Sequence, residues 1–121
     1  MSLPTTITPS KRRVRRKRRD VQVALTGLTI VNVTVGDQTF NLKVFFSAPI
    51  AWDGSTVPFA FSAFTNDGVM EGCIYVDAVG ADWIEVEFNA DVSVGAAWQL
   101  DAAMDGITPA VRWPQNGTVA S

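Results

Sequence analysis

The sequence predicts an all-β protein, a single antiparallel β-sandwich or small barrel of about seven or eight strands with an extended basic N-terminal arm. The chain has 121 residues, which is enough for one domain. From residue 21 onward, short runs of β-branched and aromatic residues alternate with turn residues. Eight of the ten basic residues lie before this region, within residues 11–19. These observations divide the chain into an arm, residues 1–20, and a β-sandwich domain, residues 21–121.

The first half of the domain contains three strand-forming runs. Residues 21–25 and 28–35 are rich in Val, Ile and Thr, which favour strands. In residues 39–46 every second residue is apolar, so one face of this strand should be buried. Residues 47–58 contain two prolines and an Asp-Gly pair, and they predict a long loop.

The second half continues the pattern. Residues 59–64 and 69–76 flank the turn sequence Asn66-Asp67-Gly68 and predict a hairpin, with Gly72 as a candidate bulge. In residues 83–88 the alternation points Ile84, Val86 and Phe88 inward, and Glu85 and Glu87 outward to solvent. Residues 92–100 and 109–113 complete the set. A short helix over residues 97–105 is disfavoured because its acidic residues lie near the C-terminal end.

The composition argues against an enzyme. The chain has no histidine and one cysteine, which excludes Ser-His-Asp triads, Cys-His pairs, histidine-ligated metals and an internal disulfide. Asp101 and Asp105, or Glu85 and Glu87, could form a carboxyl pair, but alternating glutamates on a strand are typical of a solvated face. We therefore predict no catalytic residues, no metal and no cofactor. No run of eighteen apolar residues occurs, so no membrane span is expected.

The basic segment is the feature with the most specific physical consequence. Residues 1–19 carry a charge of +8, and residues 20–121 carry 2 − 12 = −10. Such a cluster favours electrostatic binding to a phosphate backbone, and because no aromatic residue is interleaved with it, the binding should be independent of sequence. The predicted contact residues are Lys11, Arg12, Arg13, Arg15, Arg16, Lys17, Arg18 and Arg19.

Two other interpretations of the arm stay open at this point. The arm could bind an acidic protein surface, such as the body of a neighbouring copy, or it could be a localisation or processing signal. A secretory signal is not expected, because Gln22, Thr26 and Thr29 interrupt the apolar stretch that follows the charges. Without such a signal, the expected location is the cell interior.

Aromatic residues form the second candidate site. Trp52, Trp83 and Trp113 could present rings for a carbohydrate ligand or for a protein interface. This would make the protein a binding module, which is the alternative function. The simpler interpretation is that bulky tryptophans fill the core of a small domain.

The segment 107–118, with the sequence ITPAVRWPQNGT, resembles the endings of small β-rich virion structural proteins of tailed phages, of the decoration or connector type. The Val/Thr/Asn-rich strands and Gly-Asp turns are similar as well. The resemblance implies a structural role in a viral or phage particle, with contacts to copies of the same chain or to other virion subunits. It transfers no catalytic residue.

Overall fold

The computed structural model describes residues 27–54 and 57–121. The predicted arm and the predicted strand over residues 21–25 lie outside this part of the chain. The described residues form an all-β structure without a helix, so the segment 97–105 considered for a helix instead begins with a strand. The ten strands of the described residues are β1 (Ile30–Val35), β2 (Asn41–Phe46), β3 (Ala51–Trp52), β4 (Phe61–Phe64), β5 (Met70–Gly72), β6 (Tyr75–Val79), β7 (Trp83–Glu87), β8 (Ala97–Leu100), β9 (Ile107–Thr108) and β10 (Gln115–Thr118).

The strands pair in antiparallel sheets. The first sheet has the order β1-β2-β7-β6, the second has the order β10-β8-β4-β5, and β3 pairs with β9 in a two-stranded sheet. Within the described residues no sheet closes into a barrel. The strand count exceeds the predicted seven or eight because short strands occur inside the predicted long loop and in the C-terminal segment.

The two four-stranded sheets contribute to one apolar core. Val44 and Val86 of the first sheet and Leu100 of the second are fully buried in the same cluster. The ring of Phe61 in β4 lies 6.3 Å from the ring of Phe88 and 5.7 Å from that of Trp98, measured between centroids. The inward positions predicted for the strand over residues 83–88 are therefore confirmed.

The sequence predicted one continuous strand over residues 69–76, but the structure divides this segment into two strands. β5 belongs to the second sheet and β6 to the first, and the chain crosses between them at Cys73 and Ile74. The amide of Cys73 donates to the carbonyl of Phe61 (3.1 Å), whereas the amide of Ile74 donates to the carbonyl of Glu87 (2.7 Å). The bulge predicted at Gly72 is absent from the described pairings, which instead have a bulge in β6 between Val76 and Ala78. Periodicity identifies a strand but not the sheet that it joins.

The C-terminal segment also differs from the prediction. Residues 109–113 make one parallel bridge, between Leu28 and Val111, in place of a strand. Prolines at both ends of this segment lack an amide donor, which limits its pairing. β10 follows at residues 115–118 and was not predicted.

The first sheet has two ends that matter for function. At one end, close to the first described residues, the amide of Leu28 donates to the carbonyl of Ala110 and the carbonyl of Leu28 accepts from the amide of Arg112, both at 2.9 Å. β1 then runs from Ile30, paired with Phe46, to Val35, paired with Leu42. Five residue steps in a strand cover about 16 Å. We call these the Leu28 end and the Asn41 end of the sheet.

Candidate functional site

The predicted contact residues of the arm, 11–19, lie outside the described residues. The part of the chain that the structure describes contains eleven acidic residues and two basic residues, Lys43 and Arg112, a net charge of 2 − 11 = −9. The Nζ atom of Lys43 lies 4.5 Å from the centre of the Trp83 ring, and the Nε atom of Arg112 is buried. The described surface is therefore strongly acidic.

The three candidate tryptophans occupy separate elements, and each is half-buried. Trp83 lies in β7 of the first sheet, Trp52 pairs with Ile107 in the two-stranded sheet, and Trp113 follows the bridge at Val111. Trp52 and Trp113 pack against the core. The indole of Trp83 contacts Gly80 so closely that a Cβ atom at that position would clash with the ring. The three rings therefore belong to three different elements of the described structure.

A cluster of polar side chains lies on the outer face of the first sheet at the Asn41 end. Asn41, Glu87 and Tyr75 are neighbours in register across β2, β7 and β6. Glu85 precedes Glu87 on the same face, and the bulge in β6 contributes Asp77. We call Asn41, Tyr75, Asp77, Glu85 and Glu87 the outer-face cluster.

Asn41 connects the carboxyl groups of this cluster. Its Nδ2 atom donates to Oε2 of Glu85 (2.8 Å) and to Oδ2 of Asp77 (3.1 Å). The side chain is only 2% exposed, and its Oδ1 atom is buried with no hydrogen-bond partner among the described residues. Buried polar atoms normally have a partner, so an amide whose nitrogen bonds to two carboxyl groups while its oxygen has no partner marks the cluster as unusual.

Glu85 is held in place from two directions. It is 2% exposed, although it lies on the outer face, because the loop after β1 folds over it. The backbone amide of Asp37 donates to its Oε2 atom at 2.9 Å. A Cβ atom at position 36 would lie 2.6 Å from the same oxygen, so a glycine is needed there for the loop to approach. The prediction that Glu85 is solvated is wrong.

Glu87 shares the cluster with a second carboxyl group. Desolvation is the largest cause that raises the pKa of Glu87 above its ordinary value; the hydrogen bond that protonated Glu87 donates to Asp77 and charge repulsion from Asp77 raise it further. Among the described residues, no lysine or arginine forms an ion pair with Asp77, Glu85 or Glu87. Lys43 is the partner of Glu85 in register across β2 and β7, but its ammonium group lies over the Trp83 ring, so Asp77 and Glu87 have no ion-pair partner among the described residues.

The sequence did not single out Asn41 or Asp77. Asn41 is 36 positions from Asp77 and 44 from Glu85, so the contacts depend on strand order and not on a local motif. The alternation of residues 83–88 did signal that Glu85 and Glu87 share a face. The bulge that adds Asp77 has no comparable signal in the sequence.

The outer face of the second sheet is apolar along one edge. Phe64 and Met70 are paired in register and exposed by 45% and 39%. Phe59 and Val69, which precede β4 and β5, are also exposed. Adjacent exposed apolar side chains on an edge hairpin are typical of a surface that contacts another protein.

Over residues 27–54 and 57–121, no group of three or more acidic or cysteine side chains is placed to hold a metal ion. The same residues include no helix long and apolar enough to cross a membrane. Comparison with protein-family models, with curated proteins and with solved structures finds no match for this chain. The charges and the surfaces of the chain itself are therefore the features that indicate its function.

Proposed function

We propose that this protein is a non-enzymatic structural subunit of a multisubunit assembly, such as a viral or phage particle. In this proposal the two four-stranded sheets form a β-sandwich body, and the basic arm binds either nucleic acid or the acidic surface of a neighbouring subunit. The observation that carries the proposal is the separation of charge along the chain. Eight basic residues precede a described body with a net charge of −9.

This separation favours binding over catalysis. A cluster of arginines neutralises phosphates or carboxylates through bidentate hydrogen bonds and needs no rigid pocket to do so. In the body, the ammonium group of Lys43 lies over the Trp83 ring, and the Nε atom of Arg112 is buried. In this proposal the arm therefore supplies most of the cationic charge that a partner can reach.

The second sheet supports a role in assembly. The exposed pair of Phe64 and Met70 lies on an edge hairpin, and Phe59 and Val69, which precede β4 and β5, are exposed as well. Such a surface is costly for an isolated subunit and is covered when subunits associate. A carbohydrate-binding module receives less support, because the three candidate tryptophans are half-buried and lie in separate elements.

The proposal is tested on full-length protein in which the eight basic residues of the segment 11–19 are replaced by glutamine. The matched control replaces the six arginines of this segment by lysine and so keeps the charge. Binding to a random DNA duplex is measured by fluorescence anisotropy at several salt concentrations, and mass is measured by sedimentation.

If all eight residues contact phosphates, the affinity of the unaltered protein should fall with salt with a log–log slope of about −7. The glutamine variant should lose this binding, and the lysine variant should retain most of it. Loss of assembly mass without a change in DNA binding would identify the arm as a clamp between subunits. If neither DNA binding nor mass depends on the eight residues, the proposed function is wrong.

A further inference from the structure

The outer-face cluster presents more hydrogen-bond acceptors than donors. Nδ2 of Asn41 is the side-chain donor that joins Asp77 to Glu85, and both of its hydrogens are used in those two bonds. The remaining groups are the carboxyl groups of Asp77 and Glu87 and the orphaned Oδ1 of Asn41. A ligand that suits these groups must be positively charged and rich in N–H donors.

The buried amide is an independent indication of a ligand. The side chain of Asn41 projects into the cluster, since it bonds to two of its carboxyl groups, yet its oxygen has no partner. The terminal torsion of an asparagine is soft. A donor that approaches the amide beside Asp77 could therefore be accepted by Oδ1, which would supply the partner that this oxygen lacks.

Tyr75 provides a flat surface beside the carboxyl groups. It pairs with Glu87 in register and is 58% exposed. A guanidinium group stacks on an aromatic ring while its planar fork donates to a carboxylate, whereas an ammonium group offers neither the plane nor the fork. An aromatic ring next to two carboxyl groups therefore favours arginine over lysine.

We propose that Asn41, Tyr75, Asp77 and Glu87 form a binding site for a guanidinium group, and that an arginine from the basic arm of a second copy of this chain occupies it. The source of the arginine depends on the proposed function, whereas the chemistry of the site does not. The described chain begins at the Leu28 end of the first sheet, and the site lies at the Asn41 end. An arm that leaves one copy at its Leu28 end and binds a neighbour at its Asn41 end makes a head-to-tail contact.

Head-to-tail contacts have a consequence for assembly. Because the two surfaces in the contact are different, each copy can bind one neighbour and be bound by another, and the product is a ring or a filament. Association through this site should therefore proceed beyond a dimer and weaken as salt screens the arginine–carboxylate pairs.

The first test uses full-length Glu87→Gln, with full-length Asp101→Asn as the matched control. Each substitution removes one negative charge, but Asp101 is an exposed residue just after β8, outside the cluster. The mass distribution is measured by sedimentation velocity at about 0.1 M salt over a range of protein concentrations. We expect at least a tenfold weakening of self-association in Glu87→Gln and none in Asp101→Asn. Equal behaviour of the two variants would overturn the proposal.

The second test leaves the body of the protein unaltered. The pKa of Glu87 is followed by carbon NMR of its carboxyl group in the full chain and in a variant whose six arm arginines are replaced by glutamine. A bound guanidinium lowers the pKa of a carboxyl group. The intact chain should therefore show the lower pKa for Glu87, by about one unit or more. An identical pKa for Glu87 in both proteins would overturn the guanidinium site.

The outcomes separate this inference from the proposed function. If the arm variant loses mass or DNA binding but Glu87→Gln behaves like its control, the arm binds elsewhere and only the site is wrong. If Glu87 responds to the arm in a protein that stays monomeric at every concentration, the arginine comes from the same copy and the assignment to a second copy is wrong.

Discussion

Replacing Glu85 by alanine should destabilise the protein strongly, and replacing it by glutamine should do so only moderately. The Oε2 atom of Glu85 accepts hydrogen bonds from the amide of Asp37 at 2.9 Å and from Nδ2 of Asn41 at 2.8 Å. The side chain is 2% exposed, so water cannot replace these bonds in the folded state. The perturbation therefore tests whether the loop after β1 is anchored by a buried carboxyl group.

The magnitude follows from the two hydrogen bonds. A hydrogen bond to a charged group contributes about 1.5–3 kcal/mol, so alanine should lower the free energy of unfolding by about 3–5 kcal/mol. The amide oxygen of glutamine can still accept both bonds, but bonds to a neutral acceptor are roughly half as strong. We therefore expect a loss of about 1–2 kcal/mol for Glu85→Gln.

The assay is urea unfolding followed by the fluorescence of the four tryptophans. For a protein of this size with a slope of about 2 kcal/mol per molar urea, Glu85→Ala should lower the midpoint by about 1.5–2.5 M, and Glu85→Gln by about 0.5–1 M. Asp101→Ala, on the exposed surface, is the control and should change the midpoint by less than about 0.3 M. A midpoint for Glu85→Ala within the range of this control would refute the reasoning.

Two further predictions concern the core. Phe61→Ala should lower the free energy of unfolding by about 3–5 kcal/mol, because Phe61 is fully buried against Phe88 and Trp98. Phe64→Ala on the same strand should lower it by less than about 1 kcal/mol, because Phe64 is exposed. Equal losses in a urea titration would contradict this packing. Burial raises the pKa of the Cys73 thiol to about 12, so at pH 8 only about one molecule in ten thousand carries a thiolate. The Sγ atom of Cys73 also donates to the carbonyl of Pro58 at 3.2 Å. A thiol reagent should therefore modify Cys73 at the rate of unfolding, and rapid modification in native buffer would show that the thiol is accessible.

Strand 83–88 shows how far alternation can be interpreted. Its pattern predicted that Ile84, Val86 and Phe88 face the core, and the structure confirms this. The same pattern predicted that Glu85 and Glu87 face solvent, which is wrong for Glu85. Alternation reports the direction of a side chain relative to its own sheet. It does not report which loop covers the other face.

The segment from β5 to β6 shows a second limit. Its composition predicted one strand over residues 69–76, but the chain changes sheets at Cys73 and Ile74. Each half pairs with a strand that is distant in sequence, and the local residues are equally suited to one sheet or two. The same holds for Asn41, whose partners Asp77 and Glu85 are 36 and 44 positions away.

The sequence alone determined the strand-rich character of the body and the separation of charge, because periodicity and net charge are properties of the covalent chain. The tertiary structure decided which strands are neighbours, that Glu85 is buried, and that an asparagine and two further carboxyl groups meet on one face. Those results depend on contacts between residues far apart along the chain, where loop closure and strand order bring together groups that no local pattern relates.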